Sequence, residues 1–336
     1  TVRGGIERFW FRRGSRAAGN LPAGRPSTVQ TLLVFGVDRV VGANVIATLS
    51  DRFQVAGVGQ NPVRIQGCPT RCADLREPGQ VARLVDKYAP SWVVYAGRLA
   101  GSSWDAPEAG VEREPEIAAA LVQAVAEVDA RLTYVSTDAV FAGPRLFHQE
   151  ESPVVEASPS PLAAAARAVE QVLQGSGSLL VRTHAFGWSP RVESPEFAEL
   201  VCQALEDDCA LPIDGWRHAS PILASDLAEL LYQAWGAGLS GTLHLAGAER
   251  VSPVRFAAEL AGVLGLKWRR EAAPAVSLEA SSLVPLPQTA LDTRRAKHAL
   301  GGAMPMLAES LDRFVAQAEN GFRDRFGVPQ DVAHAA

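Results

Sequence analysis

The sequence predicts an α/β fold, a doubly wound parallel sheet with a smaller C-terminal lobe. Three observations predict it. From Thr31 onward, short apolar runs alternate with stretches of helical character, as strands joined by crossover helices require. The first apolar run passes into a glycine-bearing turn, Gly36 to Gly42, which opens the first helix. Finally, 336 residues with 47% hydrophobic and 21% charged side chains suit a globular chain with a substantial core.

Taken in order, the predicted strands are Leu32–Phe35, Gln54–Val58, Trp92–Tyr95, Leu132–Val135, Leu179–Arg182 and Thr242–Leu245. Predicted helices include Gly42–Ser50, Gln80–Lys87, Glu116–Val128, Pro161–Leu173, Pro195–Leu205, Ser225–Trp235 and Val254–Leu264. The run Ala163–Ala166 is a strong helix former, and the Pro and Ser residues of Ser152–Pro161 mark the loop before it. Past about residue 185 the elements shorten and loops multiply, which suits a lobe folding over the carboxyl edge of the sheet. The division predicted is an extension over 1–29, a sheet domain over 30–184, a lobe over 185–325 with elements returning to the sheet, and a tail over 326–336.

Charge separates the extension from the rest. Residues 1–28 carry six arginines against Glu7, a net of +5 in a chain of −5, which leaves −10 for the remainder. Their Gly, Pro and Ser content predicts a loosely ordered arm; Phe9, Trp10 and Phe11 among arginines suit either a membrane surface or acidic partner, or packing on the chain's own domain. The acidic body argues against nucleic acid as the main partner. No apolar run is long enough to span a bilayer, and a cytoplasmic location is the default expectation. Cys68, Cys72, Cys202 and Cys209 match no standard zinc pattern, so structural thiols and no metal are expected.

Several segments carry a family likeness when taken together: TLLVFGVDRVVG (Thr31–Gly42), YVSTDAVFAG (Tyr134–Gly143), VRTHAFGWSP (Val181–Pro190), RHASPILASDLA (Arg217–Ala228), GTLHLAG (Gly241–Gly247) and PQTALD (Pro287–Asp292). Over roughly residues 30–320 the chain resembles the extended short-chain dehydrogenase/reductases, specifically the dTDP-4-dehydrorhamnose reductase (RmlD-type) group. The resemblance implies a Rossmann-type dinucleotide-binding domain with a smaller substrate lobe, NAD or NADP as cofactor and a nucleotide sugar as substrate.

The implied cofactor residues are Gly36, Arg39, Val40 and Gly42 in the turn, Asp74 and Leu75 after the second strand, and Ala96 and Gly97 after the third. Related proteins carry glycine where Arg39 stands. Arg39 offers a guanidinium to a phosphate but also fills space, and Asp38 puts a negative charge beside an anionic ligand. The second strand ends Gly57-Val58-Gly59-Gln60, with no carboxylate for a ribose diol, and Arg64 is a faint pointer to NADP. Asp74 resembles an adenine-contacting aspartate and equally reads as a helix cap.

The chemistry implied is carbonyl reduction, with a Tyr hydroxyl donating the proton, a Lys ammonium one helical turn later acidifying it, and a Ser or Thr hydroxyl polarising the oxygen. Thr137 matches that last hydroxyl. The Tyr and Lys positions fall on Leu162 and Ala166 in one register and on Ala163 and Arg167 in the other. Between Tyr134 and Tyr232 there is no tyrosine, and between Lys87 and Lys267 no lysine. Arg167 is a poor proton relay. His184 and His218, with His148 behind them, are the surrogate acids available; His244 reads as a core histidine. On the substrate side the resemblance points to Asp138, Phe141, Arg182, Trp188 and Arg217, with a bridge from Arg182 to Asp226 or Glu170 and seam-filling by Trp188 as the structural alternatives. Three functional expectations follow: a catalytically impaired binder of nucleotide sugar or dinucleotide (a pseudoenzyme or regulatory subunit), an active reductase or epimerase with a surrogate proton donor, and a structural partner for another protein.

Overall fold

A computed structural model describes residues 30–105, 109–143, 145–153, 160–269 and 288–327. The arginine-rich extension, residues 154–159 and the far end of the tail lie outside these residues, and with them the arm expected at 1–29.

The strands form because their apolar runs are enclosed on both faces, the condition under which parallel sheets persist. They are β1 (Thr31–Phe35), β2 (Gln54–Gly59), β3 (Arg64–Ile65), β4 (Thr70–Cys72), β5 (Trp92–Tyr95), β6 (Arg131–Thr137), β7 (Leu179–Thr183), β8 (Ala185–Phe186), β9 (Ile222–Leu223), β10 (Gly241–His244) and β11 (Phe326–Gly327). Seven make one sheet in the order β10-β7-β6-β5-β1-β2-β4, all neighbours parallel. The order reverses between β1 and β5, and in such sheets the crevice outside the carboxyl ends at that reversal is where ligands bind.

Helices α1 (Val40–Leu49) and α6 (Ala224–Gly236) cover one face, and α2 (Gln80–Tyr88), α3 (Glu114–Glu127) and α4 (Pro161–Leu173) the other. Their starts follow local chemistry. Pro115 in the first turn of α3 sets its beginning at Glu114, two residues before the predicted start. Ser160 caps α4 by accepting from the Ala163 amide at 3.4 Å. Helix α5 (Phe197–Glu206) begins two residues later than predicted because Glu196 and Glu199 form a capping box.

A third core lies beyond the sheet edge. There α5, α7 (Pro253–Leu264) and the last helix, Leu307–Glu319, pack Phe197, Phe256, Leu260, Leu311 and Phe314 around the short β8–β9 pair. The stretch after residue 185 also returns to the sheet: α6 packs on α1, and β10 pairs with β7. At the opposite edge β11 pairs antiparallel with β3, and Arg325 donates to Ala47 O at 2.7 Å and Ser50 Oγ at 3.1 Å at the end of α1. No helix among the described residues is long and apolar enough to cross a membrane.

Candidate functional site

The crevice at the strand reversal starts with the turn after β1. Gly36 has φ +84, and a Cβ there would lie 2.0 Å from Ala96 O; a Cβ on Gly42 would lie 2.2 Å from Gly36 O. Both positions demand glycine, and the turn presses against the end of β5 as tightly as backbone allows. Arg39 is different. Its backbone is extended (φ −126, ψ 159), a conformation any residue adopts, so the arginine fits the turn without strain. No side chain caps the first turn of α1, and Val40 is buried beneath it. A glycine turn, an uncapped helix start and a guanidinium together suit a phosphate group.

Asp38 is buried and crosses to the end of β2. Its Oδ2 accepts from the Asn61 amide at 3.0 Å and from Asn61 Nδ2 at 2.8 Å, and a Cβ on Gly59 would lie 2.9 Å from its Oδ1. Arg98 donates to Gln60 Oε1 across the same opening. Asp74 instead accepts from Arg76 at 2.7 Å and 2.8 Å, and that pairing holds its carboxyl down to about 2. It caps a turn rather than α2, whose N-cap is Gly79. Leu75 and Gly97 line the crevice with Gly36, Asp38, Arg39, Gly59, Gln60 and Arg98.

The same lining includes a carboxylate that the sequence reading did not single out. Glu114, 1% exposed at the start of α3, accepts from Tyr95 Oη at 2.8 Å and Tyr134 Oη at 2.7 Å, both on Oε2. The two rings lie 4.7 Å apart. Burial raises the Glu114 pKa, against which the two phenols and the nearby Arg39 cation act; burial likewise lifts both tyrosines well above their ordinary value. Gly97 must be glycine here too, since a Cβ would fall 2.2 Å from Tyr95 Oη.

At the carboxyl ends of β6 and β7 the chain brings Thr137, Asp138, His184 and Arg217 into one network. Asp138, fully buried, meets His184 Nδ1 at 2.9 Å, accepts from Ser103 Oγ at 2.9 Å and also accepts from Thr289 Oγ1. Arg217 is fixed on Asp214 at 2.7 Å and reaches Ser103 O at 3.3 Å. Thr137 Oγ1 accepts from the Ala139 amide at 3.1 Å as the cap of a short turn. His184 is 1% exposed, with the Trp104 ring against it at 4.5 Å, so its imidazole is interior. His218 does not join it: its Nδ1 contacts Trp216 O at 3.0 Å, and only its backbone carbonyl reaches Thr289.

The remaining substrate candidates are placed in packing. Arg182, 5% exposed, forms a paired bridge to Glu170 at 2.7 Å and 2.8 Å and also reaches Glu150 O and His244 Nε2. Its guanidinium covers the Phe141 ring, which stacks on His148 at 4.3 Å. Trp188 stacks on Phe314 at 4.1 Å, donates to Phe314 O and carries Arg323 on its ring, which closes the seam between sheet and lobe. On α4, Leu162 is half-buried, whereas Ala163 and Ala166 are fully enclosed.

The chain's four tyrosines and three lysines are all among the described residues. Tyr95 and Tyr134 are engaged by Glu114, Tyr88 ends α2, and Tyr232 packs on Phe53 and Trp235. Lys87, Lys267 and Lys297 are exposed. Among the described residues no group of three or more His, Cys, Asp or Glu is arranged to hold a metal, and the four cysteines are free thiols.

The family model for the RmlD substrate binding domain matches residues 30–320. A probable low-salt glycan biosynthesis reductase, Agl14 of Haloferax volcanii, is 25% identical over 302 residues, covering 83% of this chain and 95% of that protein. A dTDP-4-dehydrorhamnose reductase of Bacillus anthracis, solved in complex with NADP, superposes with a TM-score of 0.68 at 18% identity over 86% of this chain and 100% of its own. The protein MoeE5, solved with UDP-glucuronic acid and NAD, gives 0.65 at 18% identity over 87% and 99%. With its sheet order, its glycine turn and 291 consecutive residues matched, the chain belongs to the RmlD substrate binding domain family, whose group comprises NAD(P)-binding sugar-nucleotide reductases.

Proposed function

We propose that this chain binds a dinucleotide or a nucleotide sugar and is impaired in hydride transfer by the tyrosine–lysine route. One observation carries the reading: every phenol of the described residues is engaged elsewhere and every lysine amine is exposed, while the hydrogen bonds of Thr137 Oγ1 go to the Ala139 amide and Asp138. Loss of a positioned general acid typically costs on the order of 10²–10⁴ in rate. A bound nicotinamide would supply the hydride; this chain's own residues would hold its phosphates at Gly36, Arg39 and the start of α1, leaving the substrate oxygen without a donor. The retained crevice supports binding, and the comparison proteins solved with NADP, NAD and UDP-glucuronic acid give the ligand classes to try.

Calorimetry with NADH, NADPH, UDP-sugars and dTDP-sugars, paired with NADPH oxidation in the presence of a 4-keto sugar nucleotide, tests both halves. The expected result is saturable binding with turnover at least a hundredfold below a competent reductase. Brisk turnover overturns the impairment, and silence with every ligand overturns the binding.

A further inference from the structure

Resting on the reading that the crevice takes a nucleotide, we propose that it seats one nucleoside with its diphosphate and leaves the second nucleoside of a dinucleotide in water. A free nucleoside diphosphate is then a complete ligand for this chain. In this architecture a dinucleotide lies across the strand reversal, with its pyrophosphate at the first helix and one nucleoside to either side. The two sides differ here.

Beside β1 and β2 the opening is kept. It encloses about 340 Å³, at the lower end of the roughly 300–1,000 Å³ of pockets that enclose a small ligand, which suits one nucleoside with its phosphates rather than two. Leu75 and Ile117 give it apolar walls for the faces of a base, and Arg39 and Arg98 bring two guanidiniums to the same space, enough for two phosphates. The carboxylates of the lining are held by other groups: Asp38 accepts twice from Asn61, and Glu114 accepts from Tyr95 and Tyr134.

On the side of β6 and β7 the corresponding space is filled. Thr137 and Asp138 are 0% exposed and His184 is 1% exposed, with the Trp104 ring against it at 4.5 Å. Beside the phosphate turn, Asn44 Nδ2 donates to Trp188 O at 3.0 Å, and a Cβ on Gly187 would lie 3.1 Å from Val40 Cγ1 and from Ala224 Cβ. The segment after β8 is thus packed onto the start of α1, across the path from the phosphates to Thr137. Parting these groups for a nicotinamide ring would take donors from the buried Asp138 carboxylate, a larger cost than ring contacts return.

Calorimetric titration of the full chain with ADP, NADH and reduced nicotinamide mononucleotide reads this directly. ADP and NADH are expected to bind within about threefold of each other, because a nucleoside left in water adds no contact, and the mononucleotide to give no saturable heat. Arg39→Gln is expected to weaken ADP and NADH by one common factor, about fivefold or more. NADH binding more than about tenfold tighter than ADP, or saturable binding of the nicotinamide mononucleotide, overturns the inference while leaving nucleotide binding intact. Unequal or absent weakening in the variant overturns it as well, and the wild-type ratio needs no variant. Silence with ADP and NADH while a sugar nucleotide binds overturns this inference alone; silence with all of them overturns the binding reading too.

Discussion

The crevice over β1 and β5 and the network at the ends of β6 and β7 are built from similar residues and end differently. In the crevice, glycines at positions 36, 42, 59 and 97 keep side chains away, and charged groups line an opening. At β6 and β7 the polar groups have turned on one another: Asp138 takes donors from Ser103, His184 and Thr289, and Arg182 is saturated by Glu170, Glu150 and His244. Polar groups enclosed together pair with one another, because a buried polar group left unpaired costs more than its bond returns.

The largest effect is expected on α4, at Leu162 and Ala166. Ala166 is fully enclosed between α3 and α4, so Ala166→Lys, alone or with Leu162→Tyr, places an ammonium in the core. A loss of several kcal/mol is expected by urea denaturation; a stable, active double variant would instead establish the Leu162/Ala166 register and reopen the filled half. Next is Arg182→Ala. Removing one partner of the bridge strands Glu170, for a loss of roughly 3–5 kcal/mol on the same measurement, and a loss below 1 kcal/mol would mean that the arginine is free enough to meet a ligand.

Acid separates the halves in a different way. Burial first, and then the Arg182 cation, lower the His244 pKa to about 3, so the folded state keeps this imidazole neutral while the unfolded chain protonates near 6.5. Its contribution is complete above pH 6.5 and declines as pH falls toward 3, by on the order of 2 kcal/mol between pH 6.5 and 5. Asp74, half-buried beside the crevice, loses its smaller contribution only as pH falls from 3.8 through about 2. Denaturation at pH 7.5 and 5 should show a slope that His244→Asn flattens; an unaltered slope would locate the proton uptake elsewhere. The smallest change is Tyr95→Phe, which removes one of the two phenol donors from Glu114 and is expected to cost about 1–3 kcal/mol while leaving nucleotide binding measurable. Abolished binding with an intact fold would make the phenol a ligand contact.

Much of this was legible in sequence because strands and crossover helices announce themselves by apolar period, and Gly36 and Gly42 by their spacing. Other parts had no local signal. Strands β3, β4 and β11 are two or three residues long, too short to show a period. The last helix did carry one, since Leu307, Leu311 and Phe314 fall on a single buried face, yet it was absent from the predicted set. Glu114 reads as a charged helix start beside Pro115, and only folding brings it to Tyr95, 19 residues away, and Tyr134, 20 away. Ser103 belongs to no motif and Thr289 sits in the PQTALD segment without a role assigned to it, and they meet Asp138 across 35 and 151 residues. Asp38 was visible as a charge near an anion, but its reach to Gly59 and Asn61 depends on the curl of the turn.

Arg325 finishes α1 from 278 residues downstream by bonding Ala47 O. A ribosome emits residues at about 5–20 per second, so the first helix of a nascent chain waits on the order of ten seconds or more for the partner that closes its rear turn. Until then the newborn glycine turn rests on an unbuckled helix, and the final setting of that turn should lag behind sheet assembly.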